Sequence, residues 1–201
     1  MGAPVVDIKI IKGKTFEFVY RYADSELLYL PISGMPSIAP VRLTVANHGM
    51  PDGWPISVES VKSPEELNTG YGDFYIASVV SPSVIELNSI RSDGWRPYSA
   101  GGYVIFNRPF DLTGCSARMQ IRDRVNGMLL LSFSSDFGST ADGIIEIDLA
   151  LSALVVRLSP AVTSAITWAR GVYDLELITP SGDVYPITTI SSVIVGDEVT
   201  R

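Results

Sequence analysis

A single histidine and a single cysteine bound the chemistry that this sequence can perform. Any histidine-based triad or general base must pass through His48. Its neighbours Asn47 and Gly49 form a turn in which an imidazole simply hydrogen-bonds the backbone. Cys115 lies in a Thr-Gly-Cys-Ser turn with no candidate base beside it and no second cysteine to bridge to, so it reads as a small, half-buried side chain. The two together cannot make a zinc site. The chain also carries no Gly-x-Ser-x-Gly elbow and no phosphate-binding P-loop.

Carboxylates are more numerous. The turns Asp52-Gly53-Trp54 and Asp93-Gly94-Trp95 echo each other, and Asp52 with Asp93 would be the natural pair for glycoside hydrolysis if the turns met in space. Nothing in the sequence brings them together. Asp-Gly supplies a turn of positive φ, after which each Trp either folds over the strands as an aromatic plug or stacks on a sugar ring. Trp54, Trp95 and Tyr71 are accordingly the candidate carbohydrate contacts. Asp142, Glu146 and Asp148 could gather around calcium, but Ile144, Ile145 and Ile147 alternate with them as in one strand, which makes the acids its solvated face. The chain is expected to be no enzyme and to need no cofactor or metal.

Short strands would have to position these residues. Apolar residues recur mostly at every second position in Val6–Ile10 and Phe16–Tyr22, with Lys12-Gly13-Lys14 as a tight turn between them. The same period returns at 42–45, 75–80, 84–87, 103–106, 117–122, 128–133, 144–149, 154–158, 172–178, 184–188 and 193–195. Gly, Pro, Asp, Asn and Ser punctuate these runs, as in sandwiches and small barrels. Helical signal is confined to one turn at Ser63-Pro64-Glu65-Glu66 and a weak start at Ser159-Pro160.

Two stretches mark domain seams: Leu30 to Pro40, with three prolines and a glycine, and Tyr98-Ser99-Ala100-Gly101-Gly102. The expected organisation is all-β, a β-sandwich of residues 1–30 plus 103–201 with a small β-barrel inserted at 31–102. Two sequential domains are the alternative, but a lone N-terminal hairpin is marginal in water.

A formal charge of −7 and a pI near 4.7, with scattered Lys and Arg, argue against nucleic acid as a partner. The start MGAPVVDIKIIKGK does not look like a secretory signal. No apolar run approaches the ~18 residues that span a bilayer, so synthesis in the cytoplasm without membrane insertion is expected. Mean hydropathy is +0.25 with only 18% charged residues, which points to apolar surface set aside for subunit contacts. Leu27-Leu28-Tyr29-Leu30 and the strand from Ile190 through Val193 to Val195 are the first candidates, with ordinary core strands as the alternative.

From Pro109-Phe110-Asp111-Leu112-Thr113-Gly114 through Ala117-Arg118-Met119-Gln120-Ile121-Arg122, the sequence resembles a β-domain widespread in tailed-bacteriophage tail and baseplate proteins, baseplate upper proteins among them. The later Tyr173-Asp174-Leu175-Glu176 strand and the Val199-Thr200-Arg201 ending belong to the same pattern. Val45-Ala46-Asn47-His48-Gly49-Met50-Pro51-Asp52-Gly53-Trp54 is similar to a small β-barrel first described in ubiquitin-activating enzymes and often embedded in phage tail proteins. These resemblances imply a structural virion protein made in the bacterial host cytoplasm. It would be a homo-oligomeric adaptor or baseplate component that joins tube, baseplate and fibre. A receptor- or carbohydrate-binding tail module is the alternative.

Overall fold

A computed structural model describes residues 3–197, so the Val199-Thr200-Arg201 ending lies outside the described residues. The fold is all-β. Strands β1 (Ile8–Ile11) and β2 (Phe16–Arg21) are followed by β3 (Ala23–Pro31), β4 (Gly34–Ile38), β5 (Val41–Thr44), β6 (Trp54–Val61), β7 (Tyr75–Ser81), β8 (Val84–Leu87) and β9 (Gly101–Pro109). The chain continues through β10 (Ser116–Arg122), β11 (Leu129–Ser134), β12 (Gly143–Asp148), β13 (Ala153–Leu158), helix α1 (Pro160–Ser164), β14 (Arg170–Ile178) and β15 (Val184–Gly196). Two compact units result: Ala23–Phe110 is one, and Met1–Tyr22 with Asp111–Arg201 is the other. Their junctions lie outside the Pro-rich and Gly-rich seams on both sides, because Ala23–Pro31 and Gly101–Pro109 pair with each other.

The discontinuous unit is one eight-stranded sheet in the order β1-β15-β14-β10-β11-β12-β13-β2. β1 runs parallel to β15 and β2 antiparallel to β13, so Lys12-Gly13-Lys14 is a corner between opposite ends of the sheet and not a hairpin turn. Gly13 takes φ 75° there. β14 and β2 stand five places apart in that order, about 24 Å in a flat sheet. Yet the Tyr20 and Tyr173 hydroxyls are 2.8 Å apart. The sheet therefore folds over on itself. β11 and β12 join in parallel over a short stretch, with Phe133 opposite Gly143 and Ser134 opposite Ile144. Met119, Ile121, Ile145 and Leu154 fill the space within.

Tyr173 donates to the Val6 carbonyl, which leaves Tyr20 to donate to the Tyr173 oxygen. Burial raises both phenols above their ordinary value, and Tyr20 well above it, where the hydrogen bond to Tyr173 adds to the rise. The folded state therefore holds protons that the unfolded chain releases near pH 10, so this stability is complete below that pH and is lost as pH rises. The slope of unfolding free energy against pH above about 10 is expected to be shallower in Tyr20→Phe than in wild type. Urea titrations across alkaline pH check this, and equal slopes would contradict it.

The inserted unit is a seven-stranded sheet, β3-β9-β6-β7-β8-β5-β4. Consecutive residues after β3 close it: Ile32 N–H bonds Gly102 O and Ser33 N–H bonds Thr44 O, both at 2.9 Å. One segment thus links the two ends of the strand order, and the sheet becomes barrel-like around Leu43, Trp54, Ile56, Val58, Ile85 and Val104. The Pro-rich stretch corrects the expectation of an irregular seam. Pro31 ends β3, and Pro36 sits where the β4 register skips between Gly34 and Ser37. An end strand with a bulge tolerates a residue that has no N–H.

Of the two helical starts, Ser159 accepts from Val162 N–H and caps α1. Ser63 instead donates to Pro97 O and does not cap the 3₁₀ turn Glu65–Leu67.

Candidate interaction surface

β3 divides the four-residue apolar run between two faces. Leu28 and Leu30 point inward and pack on the barrel core, while Leu27 and Tyr29 point out, 48% and 57% exposed. Register continues the outer face across the sheet: Tyr29 opposes Ile105, Pro31 opposes Tyr103, Ser57 opposes Ile105 and Pro55 opposes Ile76. Tyr103 and Ile76 are also exposed, whereas outward-facing Ile105 is buried.

The segment after the 3₁₀ turn forms the far wall. Its base is pinned, because Asn68 bonds both backbone groups of Val61 and Thr69 bonds both of Val58. Its tip turns through Gly70 and Gly72, closed by Asp73 N–H to Gly70 O. Tyr71 and Phe74 stand out from this tip, Phe74 63% exposed and Tyr71 fully so. Between wall and sheet runs a groove of about 560 Å³. Glu59 and Asp73 line it, and no Lys, Arg or His does. Neither carboxylate forms an ion pair among the described residues.

The discontinuous unit carries a second exposed feature, the hairpin between β10 and β11. Gly127 N–H to Arg124 O and Asp123 N–H to Met128 O close it, with Asn126 at φ 59°. Val125, Met128 and Leu129 are exposed at its end. The Arg122 guanidinium is tied to Gln120 and Gly127 O, while the Arg124 side chain is 81% exposed and only 3.6 Å from Asp123. A groove of about 550 Å³ beside the hairpin contains Ile190 and the Arg118–Glu176 pair.

No protein-family model matches the sequence, and no curated protein matches it.

Several expected positions are moved by the structure. Trp54 is 2% exposed, a plug in the barrel core whose Nε1 donates to Asn107 O at 3.0 Å, so it has no face for a sugar. Trp95 is half-buried against the same core and lines a separate groove with Met35 and Tyr98. Tyr71 lines neither of these places and shares the larger groove with Leu27. In β15 the expected apolar patch splits. Val193 is fully buried against Ile8 and Gly171, Val195 is half-buried beside Ile10, and Ile190 alone of the three is exposed.

The chemistry-bearing side chains are occupied structurally. His48 is buried: Nδ1 accepts from Met50 N–H at 3.2 Å, which makes Nε2 the donor to Ser81 O at 2.8 Å. Removing both bonds in His48→Ala is expected to cost about 1–3 kcal/mol in a denaturant titration. Asp52 accepts from Val79 N–H and Asp93 pairs with Arg91. Asp142 accepts from Ser132, Glu146 pairs with Arg157 and Asp148 accepts from Leu151 N–H, so the three acids are dispersed and not convergent. Burial, reinforced by the Asp111 carboxylate, pushes the Cys115 thiol up and keeps it a poor nucleophile at neutral pH.

Phe74, Ile76, Tyr103, Glu59 and Asp73 had no separate signal in the sequence. The closest was Gly70-Tyr71-Gly72, an aromatic between two glycines, which places a large side chain on a turn with nothing beside it to pack on.

Proposed function

We propose that this chain is a structural component of a bacteriophage tail, built into an oligomeric adaptor or baseplate layer through the outer face of its inserted barrel. The observation that carries the reading is the apolar surface of that face. Leu27, Tyr29, Phe74, Ile76 and Tyr103 are all at least 45% exposed on one side of a small barrel. Interfaces draw their energy from aromatic and aliphatic anchors of this kind. The Asp111-Leu112-Thr113-Gly114 entry and the strand after it, similar to tail and baseplate β-domains, support the address.

Mass spectrometry of purified particles tests the address, and genetic complementation with the double variant Tyr29→Asp, Phe74→Asp tests the surface. The wild-type chain is expected in stoichiometric amount in tails, and the variant is expected to fold but not to be incorporated. A chain absent from particles, or a variant incorporated as well as wild type, overturns the reading.

A second reading keeps one specific support: Trp95 is half-exposed beside Arg96 and Tyr98 in a groove of about 420 Å³, a setting in which an indole can stack on a sugar. A glycan array probed with wild type and Trp95→Ala decides it. Binding lost in the variant would favour a receptor-binding module.

A further inference from the structure

We infer that one copy of this chain inserts its β10–β11 hairpin into the barrel groove of another. The inference deepens the proposed self-assembly and rests on that reading. The two surfaces are complementary in apolar character and in charge. The groove is concave, apolar and aromatic on its walls through Leu27, Tyr71 and Phe74, and acidic through Glu59 and Asp73 with no basic residue lining it. The hairpin presents Val125 and Met128, both more than half exposed, and the 81% exposed Arg124 side chain, with Arg124 and Val125 standing at the rim of the groove beside it.

Val125 and Met128 supply apolar side chains for the walls, and thioethers and guanidinium groups both favour aromatic faces such as those of Tyr71 and Phe74. Arg124 has only a loose contact with Asp123, so it is available to Glu59 and Asp73, which have no ion-pair partner of their own among the described residues. A groove of about 560 Å³ is of the size that encloses a few side chains. Because hairpin and groove are different surfaces, the contact is head-to-tail: it closes as a ring or as a reciprocal pair, the closed forms that symmetric oligomers adopt.

Charge exchange tests the pairing on the full chain. Two variants are made, the double substitution Glu59→Lys with Asp73→Lys in the groove and the single substitution Arg124→Glu on the hairpin. Each changes exposed residues only, and thermal melts verify that both remain folded. Sedimentation velocity is expected to show self-association weakened by more than about tenfold in each variant alone. An equal mixture should associate again, because the acidic hairpin of one now faces the basic groove of the other.

Independent support comes from crosslinking. On a Cys115→Ser background, chains carrying Phe74→Cys and chains carrying Val125→Cys should form mixed disulfide dimers in preference to either homodimer. If the wild type associates but the variants associate equally well, or the mixture does not recover, the pairing is overturned while self-assembly stands. If the wild type is monomeric throughout, both fall.

Discussion

Trp54→Ala is expected to destabilise the inserted barrel by about 3–5 kcal/mol, the range for removing a large aromatic from a packed interior. The side chain is 2% exposed and ranks among the largest that are fully buried. Truncation removes its contacts with the barrel core and also leaves Asn107 O without its indole donor. Trp54→Phe separates the two effects: it keeps most of the packing and loses the hydrogen bond, so a smaller loss of about 1–3 kcal/mol is expected. Urea titration followed by the fluorescence of the remaining tryptophans measures both. A change below ~1 kcal/mol in Trp54→Ala would be the behaviour of a surface residue and would reinstate the sugar-platform reading of this position.

The second large effect is expected at Gly143. A Cβ at this position would lie 2.3 Å from Cδ1 of Phe133 and 2.7 Å from Cδ2 of Leu158, both buried. Neither can retreat easily. Phe133 is the register partner of Gly143 at the short parallel join, and Leu158 is fixed against Phe16 by strand pairing. Gly143→Ala should therefore cost about 3 kcal/mol, the upper end for overpacking, while the inserted barrel keeps its stability. Gly182→Ala is a useful contrast, because nothing lies within 4 Å of its added methyl and only its φ of 91° opposes the change. Comparing thermal unfolding of the two variants checks the assignment; a larger loss at Gly182 would contradict it.

Much of this fold was legible because most strands bury one face only, so their apolar residues alternate. The strands that escaped are those where that condition fails. In β3 the inward Leu28 and Leu30 and the outward Leu27 and Tyr29 merge into one continuous apolar run, since both faces are apolar for different reasons. β6 does alternate through Trp54, Ile56 and Val58, but Pro55 and the positive φ of Ser60 break the pattern. β15 reads as two pieces because its register against β14 shifts twice within Tyr173–Glu176.

Pairing was less legible than strand position. Gly13 signals a turn, yet whether a turn makes a hairpin or a corner depends on partners more than a hundred residues away, here β13 and β15. The two Asp-Gly-Trp turns make the same point. Identical local chemistry puts Trp54 at the head of an inward-facing strand and leaves Trp95 in a turn, because the strand or loop that the chain enters next sets the surroundings of each indole. The interaction surface was half visible: the Leu27–Leu30 run and Tyr71 could be named separately, but only the β3–β9–β6 register puts Leu27, Tyr71 and Phe74 around one groove.

Sedimentation equilibrium of the wild-type chain over a wide concentration range tests the central claim of assembly through the barrel face most directly. The apparent mass is expected to rise from the 21.8 kDa of one chain to a fixed multiple of it, and Tyr29→Asp with Phe74→Asp should remain at one chain. A wild type that stays at a single 21.8 kDa species at every concentration would contradict it.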